Sequence, residues 1–186
     1  MKILLLGKNG QVGHELQRTL LPLGELVALD RRDGDLTNVR QMKAALETHS
    51  PDIIVNAAAY TAVDKAESDT VAARAINTDA VGFLAEYAQH HNALLVHYST
   101  DYVFDGAKST AYETDDATNP QSVYGTTKRN GELAILNTGC RALILRTSWV
   151  FSAHGGNFVK TILRLAKERD SLGIVADQHG LPRRPN

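Results

Sequence analysis

MKILLLGKNGQVGHELQRTL, residues 1–20, runs from an apolar strand through a glycine-spaced turn into an amphipathic helix. Lys2–Leu6 is nearly continuous in Ile and Leu, as expected for a strand covered on both faces. From Gln11 the apolar residues recur at Val12, Leu16 and Leu20, one face of a helix. Between them lies GKNGQVG. Gly7 permits a tight turn, Gly10 lets the backbone approach a pyrophosphate, and Gly13 allows the helix to pack closely on the strand. The unpaired N–H groups and positive dipole end of the following helix would then face phosphate. The spacing is GxxGxxG rather than the commoner GxGxxG. Its position after a strand and before a helix makes it a candidate dinucleotide loop.

The same alternation continues along the chain. Leu26–Leu29, Ile53–Asn56, Leu94–Tyr98, Ala142–Arg146 and Leu172–Val175 are further predicted strands. Gln11–Leu21, Asn38–Thr48, Val71–His91, Ser122–Asn137 and Phe158–Arg169 are predicted helices, with Asn38 and Ser122 as N-caps and Gly24 and Gly139 as stops. Strand–helix–strand repetition predicts an α/β fold, a Rossmann-like doubly wound parallel sheet with helices on both faces and right-handed crossovers. Asp101–Gln121 is polar and carries no clear element; a loop of that length in a compact domain is usually functional or disordered. The expected organisation is one NAD(P)-binding domain over residues 1–176 and an irregular tail, 177–186, rich in Pro and Arg.

Composition narrows the function classes. The chain has 186 residues, enough to bury a sizeable core without a metal or disulfide staple. Twenty basic and 21 acidic side chains give a net charge of −1 with no basic run, which argues against a nucleic-acid or anionic-membrane partner. A single cysteine, Cys140, fits a reducing compartment and reads as a small hydrophobe. The four-residue apolar run Ile3–Leu6 is too short for a signal peptide or a membrane span, so a soluble cytoplasmic protein is expected. His90-His91 reads as a helix end, and His14, His97, His154 and His179 show no ligand spacing; no metal is expected.

Three further positions carry candidate chemistry. Asp30 closes the second strand, where a carboxylate accepts hydrogen bonds from ribose hydroxyls and favours NAD; Arg31 and Arg32 follow, and either can pair with a 2′-phosphate and favour NADP. Asp35 and Leu36 are placed beside the adenine, and Asn56–Ala59 ends a strand at the same crevice. Tyr124 and Lys128, in YGTTK, lie four apart on one helical face. A phenol titrates near pH 10, and a neighbouring ammonium together with a cationic nicotinamide is expected to lower that value. Tyr124 would then give a proton to a carbonyl oxygen as hydride reaches its carbon, with Lys128 also binding ribose hydroxyls. Ser99 and Thr100 end the strand LLVHYST at the carboxyl edge, where Thr100 can bond the substrate oxygen or tune the tyrosine.

GKNGQVG, VNAAAYTAVDKAE, HYSTDYVFDG, VYGTTK and RTSWVF, in that order, resemble the extended short-chain dehydrogenase/reductase superfamily, and within it the dTDP-4-dehydrorhamnose reductase family. The resemblance implies reduction by NADPH or NADH of the C4 ketone of a dTDP-4-keto-6-deoxy sugar, giving dTDP-L-rhamnose, a cell-surface polysaccharide precursor. It implies Tyr124 as proton donor, Lys128 as its partner and Thr100 as the tuning hydroxyl. It further implies Gly10, Gln11, Val12, Asp30, Asp35, Leu36, Ala59, Tyr60, Thr61, Tyr124 and Lys128 as cofactor contacts, and Thr100, Asp101 and Trp149 as substrate contacts. Related 4,6-dehydratases carry Asp-Glu after the threonine; here the pair is Asp101-Tyr102, which favours ketone reduction over dehydration. Family members form homodimers. The resemblance runs to about Gln178, and LPRRPN does not resemble the family's continuation. The expectation is a shortened chain that binds cofactor and reduces the sugar poorly. Two alternatives stay open: a non-catalytic NADP-binding regulatory subunit, similar to that of methionine adenosyltransferase, and a nucleotide-sugar epimerase.

Overall fold

Runs of Ile, Leu and Val become five parallel strands, the central ones buried on both faces. The computed structural model describes residues 1–174. In chain order, β1 (Lys2–Leu6) leads into α1 (Gln11–Leu20), β2 (Glu25–Leu29), α2 (Val39–His49) and β3 (Ile53–Asn56). Two short helices follow, α3 (Val63–Ala66) and α4 (Thr70–Arg74), then α5 (Ala80–His91), β4 (Leu94–Thr100), α6 (Val123–Thr138), β5 (Ala142–Thr147) and α7 (Phe158–Glu168).

The strand order is β2-β1-β3-β4-β5, all pairs parallel. This is the doubly wound arrangement expected, reversing direction between β1 and β3; at such a switch point the loops after the two strands part and leave a crevice. One face of the sheet packs Leu4, Leu6, Ile54 and Leu95 against Met42 and Leu46 of α2, Leu84 and Ala88 of α5 and Ile135 of α6. The Tyr87 hydroxyl donates to the Leu46 carbonyl at 3.0 Å and ties α5 to α2. The opposite face packs Ile3, Leu5 and Val55 against Leu16 and Leu20 of α1.

The caps behave as read. The side chains of Asn38 and Ser122 accept from the backbone of Gln41 and Gly125, and Gly139 ends α6 at φ +67°. Three expectations need correction. The predicted helix Val71–His91 is interrupted by a wider π-type turn over Ala75–Asp79. Residues 172–174 of the predicted strand Leu172–Val175 form none, and β5 is the sheet edge among the described residues; Val175 and the predicted tail lie outside the described residues. Asp101–Gln121 is neither helix nor disorder. It opens with a 3₁₀ turn, Asp101–Val103, and is then held by its own side chains: Asp105 accepts from the Tyr112 hydroxyl at 2.7 Å and from Asn119 at 3.2 Å, and Lys108 pairs with Asp116 at 2.5 Å. Among the described residues no helix is long and apolar enough to cross a membrane.

Candidate active site

A cleft of about 890 Å³ opens at the carboxyl ends of β1, β3, β4 and β5, a size that suits an organic cofactor with part of a substrate. Its floor is the glycine turn. Gly7 sits at φ +85°, and a Cβ there would lie 2.8 Å from the Ala58 nitrogen. The Gly10 N–H donates to the Gly7 carbonyl at 3.0 Å, while a Cβ on Gly13 would fall 2.1 Å from that same carbonyl oxygen. Gly10 starts α1 with no side-chain cap and no acidic residue in the first turn, so the helix end presents bare N–H groups. These features fit a pyrophosphate, and the small residues Ala57–Ala59 leave the backbone of the next loop close to the same space.

Most of the residues singled out from sequence come together here, with Gly13, Arg32 and Asn56 outside the lining. Gly7, Gly10, Gln11, Val12, Asp30, Asp35, Leu36, Ala59, Tyr60, Thr61, Thr100, Asp101, Tyr124, Lys128 and Trp149 all line the cleft. Gly13 does not; its lack of a side chain serves the packing of α1 on the turn. Several side chains are also engaged differently from expectation. Asp30 is buried, and its carboxylate already accepts from the Arg32 backbone at 2.9 Å, the Arg32 guanidinium at 3.0 Å and Asn9 at 3.2 Å. The Arg32 hydrogen bonds hold that carboxyl far below the usual range. Arg32 is thus folded onto Asp30, whereas Arg31 lines the cleft and reaches Asp35 at 3.4 Å. The Gln11 side chain turns away from α1 and accepts from the Ser152 N–H at 3.0 Å and from Asn157 at 2.9 Å. Together with the stacked rings of His14 and His154, 3.9 Å apart, it clasps the segment after β5 across the glycine turn.

At the other end of the cleft, Ser122 caps α6 and so sets Tyr124 in its first turn, beside the end of β4. The Thr100 hydroxyl stands near enough to the Tyr124 phenol to favour its ionised form. The Tyr102 ring meets it edge-on at 5.5 Å. Burial pushes the Tyr124 phenol up, the Thr100 hydroxyl pulls the other way, and Asp101 and Tyr102 push it further up. Lys128 is not among the groups that act on the phenol without a cofactor. The Lys128 amine, only 1% exposed, instead donates to the Tyr98 carbonyl at 2.6 Å and lies 3.4 Å from His97 Nε2. Burial takes Lys128 from 10.5 to about 8, against the opposing pull of Glu132. Trp149 follows β5 with φ +48°, a left-handed conformation that costs a non-glycine residue on the order of 1–3 kcal/mol and is found where a side chain must be aimed. It is 41% exposed and meets Phe158 edge-on at 5.6 Å.

Sequence reading missed Asn77. It is buried on the π-type turn, accepts from the Tyr60 N–H at 2.9 Å, and donates to the Tyr60 carbonyl and the Thr127 hydroxyl at 3.1 and 3.2 Å. It locks the Ala59–Thr61 wall to α6. No spacing rule finds it, because its three contacts lie 17 and 50 residues away in sequence.

A doubly wound sheet, a glycine-turn crevice at its switch point and a Tyr–Lys pair facing that crevice define a nucleotide-cofactor fold of the reductase type. The RmlD substrate binding domain family matches residues 1–185, and the chain belongs to that family. It is 54% identical over 182 residues to a dTDP-4-dehydrorhamnose reductase of Burkholderia thailandensis, covering 98% of this chain and 61% of that protein. Among solved structures it is similar to a dTDP-4-dehydrorhamnose reductase from Clostridium acetobutylicum, with TM-score 0.95 and 40% identity over 100% of this chain and 66% of that one. It is also similar to the Bacillus anthracis enzyme in complex with NADP, with TM-score 0.94 and 37% identity over 99% of this chain and 66% of that one. The chain therefore spans about six-tenths of the length of the curated relatives it matches.

Proposed function

We propose that residues 1–176 form an NAD(P)-binding unit carrying the cofactor site and the proton donor of an NAD(P)H-dependent reductase, which converts the C4 ketone of dTDP-4-dehydro-L-rhamnose to the alcohol. The observation that carries this reading is the single cleft joining the glycine turn at Gly7–Gly10 to Tyr124, Thr100 and Lys128. The B. anthracis relative in complex with NADP supports the cofactor class, and the names of the relatives support the sugar. The same resemblance points to a cytoplasmic homodimer.

When bound, a reduced nicotinamide supplies the hydride. The first turn of α1 would hold the pyrophosphate on its uncapped N–H groups. Asp30, Arg31, Asp35 and Leu36 surround the adenosine end. Tyr124 stays protonated at neutral pH, because burial raises its pKa. It is therefore a hydrogen-bond donor to the ketone oxygen and gives up its proton as that oxygen becomes an alkoxide. Thr100, beside the phenol, favours the charge that develops on it as the proton leaves. Trp149 and Asp101 line the same cleft and would meet the sugar ring.

The test is NADPH oxidation with the dTDP-4-keto-6-deoxy sugar. One NADPH consumed per ketone reduced is expected. Sugar isomerisation with no net consumption would point to an epimerase, and a stoichiometric enzyme partner recovered by pull-down to a regulatory subunit. Cofactor choice has its own test. Arg31 lines the cleft, while Arg32 is committed to Asp30. Arg31→Ala should weaken NADPH binding by roughly tenfold, the lower end for a charge-assisted contact at an exposed site, and change NADH binding by less than about threefold. Titration with both cofactors checks it; equal losses would assign the 2′-phosphate elsewhere.

A further inference from the structure

His97 lies on β4, fully buried behind the cleft, and its two ring nitrogens have different partners. Asn56, at the end of β3, accepts from the Ala58 N–H through its side-chain oxygen at 3.2 Å. Its amide nitrogen therefore faces His97 Nδ1, at 3.2 Å. Turning the amide round would set its NH₂ against the Ala58 N–H, two donors facing each other inside the protein. Asn56 thus donates to Nδ1, and a neutral imidazole must carry its proton on the other nitrogen. That nitrogen, Nε2, points at the Lys128 amine, 3.4 Å away. An N–H directed at an ammonium is repulsive, whereas the same N–H directed at a neutral amine is a hydrogen bond, and the amine still donates to the Tyr98 carbonyl.

We propose that His97 is a positioning residue which, oriented by Asn56, presents its Nε2–H to Lys128 and makes the lysine enter the cofactor-free site as a proton acceptor, so that cofactor binding takes up a proton from solvent onto Nζ. The coupling rests on the cofactor reading given above. The ribose hydroxyls and phosphate charge of a bound cofactor favour the ammonium. With His97 offering no lone pair, that ammonium is directed at the Tyr98 carbonyl and into the cleft.

The other groups facing Lys128 do not reverse this. Glu132, one turn along α6, attracts an ammonium, but its carboxylate is shared among Arg146, Arg129 and Ser99. Tyr124 is a neutral phenol, Asp101 lies beyond it against Thr100 at 3.2 Å, and Asn56 is uncharged. Burial, the largest cause, holds His97 well below the ordinary imidazole range, so the ring is neutral in whichever form Lys128 stands; burial likewise takes Lys128 down to about 8.

Nitrogen-15 NMR of the cofactor-free protein reads the His97 tautomer directly, and carbon-13 NMR of the lysine side chains reads the Lys128 titration, assigned by its loss in Lys128→Arg. The expected result is an Nε2–H ring and a Lys128 midpoint near 8. In Asn56→Asp the carboxylate accepts from both the Ala58 N–H and His97 Nδ1–H, so the ring proton should move to Nδ1 and the Lys128 midpoint should rise by about one unit or more. An Nδ1–H ring in the unaltered protein overturns the inference, and that measurement needs no variant to fold. Calorimetry of NADPH binding in two buffers of different ionisation enthalpy then reads proton uptake, expected between about pH 8 and 9. Absence of binding would defeat the cofactor reading and leave the tautomer result standing. Binding without proton uptake would defeat the inference alone.

Discussion

Tyr124→Phe should lower kcat for ketone reduction by roughly 10²–10⁴-fold while leaving the Kd for NADPH within about twofold, because the change removes a proton donor and little else. The ring fills the same space against Tyr102, so the fold and the cofactor end of the cleft keep their shape. The loss should be in kcat, since the proton moves only as hydride arrives. Steady-state kinetics beside a binding titration separate the two quantities. A variant with normal turnover would show that the carbonyl oxygen takes its proton from another group, Thr100 or Asp101 being nearest.

The second large effect is on stability. Glu132 is 0% exposed, yet its carboxylate accepts from Arg146 at 2.9 and 2.7 Å, from Arg129 at 3.0 Å and from the Ser99 hydroxyl at 2.6 Å. The two arginines extend the network outward: Arg129 donates to Thr118 at 2.7 Å, and Arg146 donates to the Thr114 carbonyl at 3.3 Å while lying 4.9 Å from the Phe104 ring. One buried carboxylate therefore fastens α6 to β5 and both to the long loop after Thr100. Glu132→Ala strands two guanidinium groups, and breaking a buried pair from one side costs about 3–5 kcal/mol. In a domain of this size that is a fall in Tm of roughly 6–20 °C, measurable by thermal unfolding.

The same network makes the protein acid-sensitive. Burial alone would raise the Glu132 carboxyl, but Arg146, Ser99 and Arg129 outweigh it and hold it below its ordinary 4.5. A group depressed on folding stabilises above its unfolded pKa. Its contribution is therefore whole at neutral pH and is lost as pH falls below about 4.5. The Glu132→Ala variant should lose less stability over that acid range than the parent.

How much of this was readable beforehand depended on how local the cause was. GKNGQVG showed the loop because three glycines at fixed spacing answer to contacts within one turn, such as the Gly13 approach to Gly7. Ser122 and Gly139 bounded α6 because caps act on the nearest backbone groups. The π-type turn at Ala75–Asp79 left no local mark, and its neighbour lies far off in α6: Gly131 comes so close to the Asn77 carbonyl that a Cβ would sit 2.3 Å from it. The Gln11 clasp links residues 141 and 146 apart. The Lys128 surroundings were misjudged for the same reason. Four-residue spacing put Lys128 on the face of Tyr124, but His97 and Tyr98, 31 and 30 residues away, decide where its amine points.

Trp149 is the single tryptophan of the chain and lines the cleft at 41% exposure. Exciting it while NADPH is added, and following the emission of the reduced nicotinamide, tests most directly whether this cleft is the cofactor site. Energy transfer that saturates at one equivalent of NADPH and is reversed by excess NADP is the predicted result. Protein that stays folded and shows no transfer at any NADPH concentration would contradict the account.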